Sequence, residues 1–200
     1  MDEISPGLWH WTAMRDSIGH DVSSYYLERE RVLLDPMVPP EGLGWFESHG
    51  APEHVLLSNR HHDRDSWKFR EAFGCAVHCV ASGAHELEGR GLVETFEPGD
   101  ELPGGIVAYE VGAICPDECA FHIPAHRALA VADGVIRWPG VDGLSFVPDG
   151  FMDDPEGTKA GLREAYRGLC ELDFDLLLLA HGVPVVGGAN AELRAFVARD

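Results

Sequence analysis

The sequence has little positive charge. It contains 15 Lys and Arg against 34 Asp and Glu, which gives a formal net charge of −19 over 200 residues with His neutral. Phosphate backbones and anionic membrane surfaces are bound mainly through Lys and Arg, so this balance argues against a nucleic-acid or membrane partner. We expect a small-molecule substrate instead.

Long apolar runs are also missing. The longest, from Leu176 to Ala180, is far shorter than the roughly 20 residues that cross a bilayer. The opening MDEISPGLWHW carries acidic residues where a secretory signal peptide carries basic ones. The five cysteines are an odd number for a disulfide framework, and together these features predict a reducing, cytoplasmic location.

Two pairs of cysteines have the same spacing. Cys75 and Cys79 are four residues apart, as are Cys115 and Cys119, which raises the alternative of a four-cysteine zinc site. Structural zinc sites usually use tighter C-x2-C turns, whereas the alternation of Cys75, Val77 and Cys79 is typical of one face of a strand. We therefore interpret these cysteines as buried free thiols.

Short apolar runs separated by turn residues predict alternating strands and helices. Hydrophobic residues make up 45% and charged residues 24% of the chain, which is an ordinary globular balance. No linker or low-complexity stretch divides the chain, so we predict a single domain over residues 1–200. Predicted strands cover residues 21–28, 31–35, 54–57, 75–80, 93–96, 105–111, 119–123, 128–131 and 175–180. Predicted helices cover residues 40–49, 66–73, 155 to about 171, and 189–199.

Residue types that bind metal ions follow three of the predicted strands. The segment SNRHHDRD, residues 58–65, comes after VLL, while Asp133 ends ALAVAD and His181 ends LLLLAH. The carboxyl ends of strands carry the functional site in open α/β folds, which favours a shared site. Each signal alone is weak, because a single Asp at a strand end is commonly a turn former and a single His a structural residue.

The order, spacing and strand context of these segments resemble the metallo-β-lactamase fold family, from Trp9 to the last helix. In that family a strand ends in H-x-H-x-D-H, a later turn carries a G-H-T-like His, a further strand ends in a bridging Asp, and a last strand ends in His-Gly. Here VLLSNRHHDRDS, VGAICPDECAFHIP, ALAVADG and LLLLAHG stand at these four places. The resemblance implies an α/β fold, a four-layer αββα sandwich of two mixed β-sheets with helices on both outer faces.

The first motif departs from the family pattern. Against H-x-H-x-D-H this chain reads N-R-H-H-D-R, so Asn59 stands at the first His and Arg64 at the last. His61 and Asp63 are kept. The three-His site of the family thus retains only His61 in this motif, and we expect that site to be empty, because zinc needs three or four good ligands.

The second metal site of the family is better preserved. Ile114 replaces the His of the turn, although Cys115 would reach the site if the turn shifted by one residue. Asp133 and His181 match the bridging Asp and the last His. With Asp63 they leave three protein ligands, the usual number in a catalytic zinc site.

The resemblance therefore implies a metal-dependent hydrolase with at most a single-metal site. One zinc or similar ion would be held by Asp63, Asp133 and His181, with His61 as a further ligand. Either His61 or a carboxylate would be the general base toward the attacking water. The substrate would be an ester, thioester, amide or phosphoester. The candidate catalytic residues are His61, Asp63 and Arg64.

Arg64 leaves two interpretations open. In the first, its cation orients a carboxylate or phosphate of the substrate, which would then be anionic. In the second, it forms a salt bridge with Asp63 or Asp65 and replaces the charge of a missing metal ion. The chain would then hold no cofactor and would be a catalytically inactive relative that binds a small molecule or another protein.

Other residues near the motif are expected to support it. Asp35, which ends the predicted strand VLLD, and Asn59 would lie behind the ligands. His62 would also lie there, because it alternates away from His61 on an extended loop. The irregular segment 137–154 is rich in apolar side chains, and it would form a pocket wall, pack on another subunit or cover the core.

Overall fold

Two β-sheets lie at the centre of the molecule. The computed structural model describes residues 1–199. The strands are β1 (Asp2–Ser5), β2 (Leu8–Arg15), β3 (His20–Leu27), β4 (Val32–Leu34), β5 (His54–Leu56), β6 (Ala76–Val80), β7 (Val93–Phe96), β8 (Glu101–Leu102), β9 (Ile106–Glu110), β10 (Cys119–Ile123), β11 (Ala128–Val131), β12 (Leu176–Leu179) and β13 (Val185–Val186). The α-helices are α1 (Trp45–Ser48), α2 (Ser66–Phe73), α3 (Pro155–Leu169) and α4 (Ala189–Val197), and 3-10 segments cover Arg60–His62, Ala81–Leu87, Pro103–Gly105, Pro124–His126 and Asp149–Phe151.

The first sheet has seven strands in the order β1-β2-β3-β4-β5-β6-β7. Strands β1 to β4 pair antiparallel, and β4 to β7 pair parallel. The parallel strands are joined by α1, α2 and the 3-10 segment Ala81–Leu87. Helix α2 ends at Gly74, whose φ of 76° lies in the left-handed region, a conformation that Gly adopts without strain.

The second sheet has six strands in the order β13-β12-β11-β10-β9-β8. Only β11 and β12 are parallel. Strand β12 reads LLLL and all four side chains are buried, as expected for a strand covered on both faces. Helix α3 begins where the side chain of Asp154 accepts the backbone N–H of Gly157 at 3.1 Å, and Pro155 follows in its first turn. No helix within residues 1–199 is long and apolar enough to cross a membrane.

Three apolar layers hold the sheets and helices together. Leu56 and Leu178 belong to the layer between the two sheets. Phe69 of α2 lies in the layer over the first sheet, and Tyr166 of α3 and Leu193 of α4 lie in the layer over the second. The expected four-layer sandwich of two mixed sheets is confirmed, while a single domain over residues 1–200 stays a prediction.

Most of the predicted elements are present. The elements whose bounds agree with the prediction are residues 66–73, 93–96, 119–123 and 128–131. Strands β1, β2, β8 and β13 are not predicted by the sequence. In β2 the alternation of apolar and polar residues is hard to see, because the polar residue His10 is buried. Its Nε2 lies 3.0 Å from Ser23 Oγ. The helix predicted over 40–49 begins only at Trp45.

Candidate metal centre

Loops that follow four strands meet at one edge of the two sheets. Asp35 follows β4 and residues 58–62 follow β5, while Asp133 follows β11 and His181 follows β12. The carboxyl ends of strands converge in this way in open α/β sheets. Each sheet therefore contributes side chains to the same site.

Three of these side chains are placed to share one ion. His62, Asp133 and His181 each offer one donor atom, and the three atoms lie within 4.8 Å of one another. Asp133 Oδ1 lies 2.9 Å from His181 Nε2 and 3.3 Å from His62 Nε2. Imidazole nitrogens and carboxylate oxygens are ordinary zinc ligands. Residues 1–199 contain no other group of three or more His, Cys, Asp or Glu side chains with this spacing.

The ring of His62 is oriented by hydrogen bonds behind it. Asp35 Oδ2 lies 2.9 Å from His62 Nδ1 and 2.5 Å from Ser58 Oγ, and Asp35 Oδ1 accepts the backbone N–H of Ser58 at 2.8 Å. An ionised carboxylate only accepts hydrogen bonds, so Nδ1 donates to Asp35 and Nε2 faces Asp133. A carboxylate behind the ring is a common support for a metal-binding His.

Two further polar side chains fix the loop that carries Asp133. Asn59 Nδ2 donates to Asp133 Oδ2 at 2.9 Å, while Asn59 Oδ1 accepts the backbone N–H of His61 at 2.9 Å. The Oε1 atom of Glu118 accepts the N–H of Gly134 at 2.8 Å. Because Asn59 holds Oδ2, the other oxygen of Asp133 is left to face the two imidazoles.

The site carries its own internal ion pairs. Burial opposes protonation of His62, but the carboxylates of Asp133 and Asp35 outweigh it and raise the pKa of the ring to about 9. Burial favours neutral Asp133, yet His62 and His181 hold the pKa of that carboxyl well below its usual range. Burial lowers the pKa of His181. At pH 7 and without a metal ion, His62 is therefore a cation between two carboxylates, and His181 is neutral.

The structure does not bring Asp63 or His61 into this group. Asp63 is buried and forms an ion pair with Arg90, and Trp67 Nε1 donates to its Oδ2 at 3.3 Å. His61 is exposed. The loop forms a 3-10 turn and not the extended segment that was expected, so the group that the structure brings together differs from the expected ligand set, which stays a prediction. The turn directs His62 inward and carries Asp63 past the site.

Arg64 contacts backbone carbonyls and not the carboxylates that were expected. Its Nη1 donates to the carbonyls of Ser23 at 2.6 Å and Asp35 at 2.7 Å, and its Nη2 donates to that of Ala180 at 3.4 Å. The first two carbonyls belong to the first sheet and its edge, and the third lies at the end of β12. Arg64 therefore ties the two sheets together, and the cation beside Asp133 is His62.

A cavity of about 620 Å³ opens beside His62, Asp133 and His181. The other residues that line it are Arg15, Ile18, His20, His61, Ile114, Cys115, Ile136, Trp138, Val147 and Phe151. Its volume is in the usual range for small-molecule sites. Segment 137–154 thus contributes a pocket wall through Trp138 and Phe151, whereas Phe146 packs on Phe196 with 4.7 Å between ring centroids.

The turn that carries Ile114 and Cys115 adds no ligand to the group. Burial and the nearby carboxylate of Asp117 raise the pKa of the Cys115 thiol to about 12, and metal ions bind the thiolate form. All five cysteines of the chain are free and buried. Their interpretation as free thiols is confirmed.

Three cavity residues have no signal in the sequence. Arg15, Ile18 and His20 lie at the turn between β2 and β3, and no motif or spacing marks them. The turn reaches the site because Arg15 Nη1 donates to the carbonyl of His61 at 2.7 Å. His20 also meets Trp138 edge to face, with ring centroids 5.3 Å apart. These residues are recognised as part of the cavity only because the structure shows that this hairpin passes over the site.

Comparison with known proteins shows the fold. No protein-family model and no curated protein sequence matches the chain. A metallo-β-lactamase from Pontibacter korlensis is similar, with a TM-score of 0.71, 14% identity, and coverage of 100% of this chain and 98% of that chain. So is rubredoxin oxygen:oxidoreductase from Desulfovibrio gigas, with a TM-score of 0.69, 17% identity, and coverage of 98% of this chain but 60% of that one.

A third similar structure is that of TTHA1623 in a di-iron-bound form. Its TM-score is 0.65 at 22% identity, with coverage of 90% of this chain and 96% of that chain. The resemblance seen in the sequence is therefore confirmed at the level of structure. This chain has the metallo-β-lactamase fold.

Proposed function

We propose that this chain is a metal-dependent hydrolase that binds a single divalent ion, zinc or a similar ion, through His62, Asp133 and His181. The observation that carries the proposal is the meeting of three donor atoms within 4.8 Å at the edge of a small-molecule-sized cavity. The Asp35 carboxylate behind His62 supports it, because ligand orientation of this kind raises metal affinity. A second ion is not proposed, because Asp63 is engaged by Arg90.

The residues of the site fit this ion. Asp133 Oδ1 and the Nε2 atoms of His62 and His181 face one another, and each is a ligand type that zinc accepts. When bound, the ion would polarise a carbonyl or phosphoryl group of the substrate and activate water as the nucleophile. His61 lines the cavity and is our candidate to accept the proton of that water. The substrate class is an ester, thioester, amide or phosphoester.

Metal content tests this proposal. Protein purified without a His tag, dialysed against zinc and desalted, should carry close to one ion per chain by elemental analysis. Asp133→Ala should reduce this to less than about a tenth of an ion, because it removes the oxygen between the two imidazoles. His85→Ala removes an exposed His and is the matched control that should leave the content unchanged. A wild-type content below about a tenth of an ion would contradict the proposal.

A second candidate is a small-molecule-binding protein without a metal ion. It is favoured by the charge state of His62, whose pKa of about 9 places a cation between Asp133 and Asp35. The His62 cation already offsets one of these two negative charges, which a metal ion would otherwise offset. Wild-type protein that takes up no zinc, yet binds a ligand in the cavity, would support this second candidate.

The proposed cellular setting is the cytoplasm. The five free and buried cysteines support this location, because thiols stay reduced there. The net charge of −19 supports a small molecule as the substrate and disfavours nucleic acid and anionic membrane surfaces.

A further inference from the structure

The charges around the cavity are opposite to those of the whole chain. The sequence is rich in acidic residues, 34 in all, yet within residues 1–199 only Asp133 lines the cavity. Its two oxygens already face Asn59 Nδ2, His62 and His181. Arg15 and several imidazoles line the same space. In a protein with this excess of carboxylates, a cavity whose polar lining is one guanidinium, four imidazoles and a single carboxylate is suited to an anion.

Arg15 is held in place with part of its guanidinium free. Its Nη1 donates to the carbonyl of His61 at 2.7 Å and its Nε donates to Ser17 Oγ at 3.2 Å. Within residues 1–199, Nη2 makes no hydrogen bond and Arg15 forms no ion pair, whereas seven other arginines pair with a carboxylate. A pre-oriented guanidinium with free N–H groups is a strong binder of carboxylate or phosphate.

The rest of the cavity wall is apolar. Ile114, Ile136, Trp138 and Val147 line it. At its rim Ile18 and Phe151, which are 45% and 67% exposed, add uncovered apolar surface. A ligand with an aliphatic or aromatic body would cover these side chains and gain the free energy of burying them.

We propose that the cavity takes an organic anion with an apolar body, whose carboxylate or phosphate is held by Arg15 while its apolar part lies against Trp138, Phe151 and the neighbouring aliphatic side chains. The inference rests on the proposed function in taking this anion to be the substrate of the metal centre. Arg15 is then the residue that sets specificity for charge.

Binding to metal-free protein tests the inference apart from hydrolysis. After treatment with EDTA, the chain is titrated by calorimetry with phenylbutanoate, its uncharged amide phenylbutanamide, phenylbutyl phosphate, and acetate. Phenylbutanoate or the phosphate should bind at least about tenfold more tightly than the amide, because a charge-assisted pair with guanidinium is lost in the amide. Acetate should bind more weakly than phenylbutanoate, because it has no apolar body. Whichever of the two anions binds more tightly identifies the anionic group that the site prefers.

Variants locate the effect at Arg15. Arg15→Gln should remove the preference for the anion over the amide, and Arg15→Lys should keep part of it. Arg29→Gln removes the same charge at an exposed position outside the cavity and should change nothing. Thermal unfolding of each variant checks that it is folded.

Three outcomes would overturn the inference. They are equal affinity for phenylbutanoate and its amide, an anion preference that persists in Arg15→Gln, and no binding of any probe. Because no metal is present in this experiment, its result is independent of the metal content that tests the proposed function.

Discussion

The two sheets deliver their side chains to the site in different ways. In the second sheet, Asp133 and His181 each lie two residues beyond the end of a buried strand, β11 and β12. In the first sheet, His62 lies six residues beyond the end of β5. The strands themselves therefore set the positions of Asp133 and His181, whereas the position of His62 depends on the course of a loop.

Hydrogen bonds replace the strand as the support of that loop. Asp35 bonds to Ser58 and to His62, and Asn59 caps the 3-10 turn that contains His62. The conformation of the 3-10 turn therefore determines which side chain of this loop enters the site. The next residue, Asp63, therefore lies outside the donor group and forms an ion pair with Arg90.

The largest expected effect separates His62 from Asp63. His62→Ala should lower zinc affinity by at least about 100-fold, since even supporting residues behind a ligand are worth about 10- to 100-fold. Asp63→Asn should lower it by less than about threefold, because Asp63 lies outside the donor group and so is no part of a site of this kind. Competition with a chromophoric zinc chelator measures both affinities.

The reverse order of these two effects would show that the loop rearranges around the ion. If Asp63→Asn lowered zinc affinity more than His62→Ala, the ligand would be Asp63, as the motif alone suggests. Circular dichroism of both variants checks that each keeps its fold, since Asp63 and His62 are both buried.

The fold and half of the candidate site could be predicted from the sequence. Asp133 and His181 are predictable because a buried apolar run fixes the strand, and the site residue follows it at once. His62 is not predictable, because nothing in NRHHDR distinguishes an extended loop from a 3-10 turn. The two conformations differ in whether His61 or His62 faces inward. Arg15 is not predictable either, since it reaches the site only through the path of a hairpin distant in sequence.

A smaller effect concerns the junction of the two sheets at Arg64. Arg64→Met should lower the free energy of unfolding by roughly 2 to 4 kcal/mol, because it leaves the carbonyls of Ser23, Asp35 and Ala180 without this donor. Urea unfolding should show the same loss in zinc-free and zinc-treated protein. Arg29→Met, at an exposed position, should change stability by no more than about 0.5 kcal/mol. A loss that zinc abolishes would instead identify Arg64 as a replacement for metal charge.

The last effect depends on pH and concerns Glu118, which supports the loop of Asp133 from the second sheet. Burial, aided by the negative charge of Asp133, raises the pKa of Glu118 to about 8, whereas an unfolded chain has a Glu pKa near about 4.3. The folded protein therefore binds more protons than the unfolded chain between these values, so this group makes stability fall as pH rises through that window. Glu118→Gln keeps an oxygen for the N–H of Gly134 and cannot ionise, so its stability relative to wild type should rise between pH 5 and pH 8 in urea unfolding. Glu88→Gln, at an exposed position, is the control and should show no such trend. If the difference in unfolding free energy between Glu118→Gln and wild type did not change with pH, the buried carboxyl would already be ionised at pH 5.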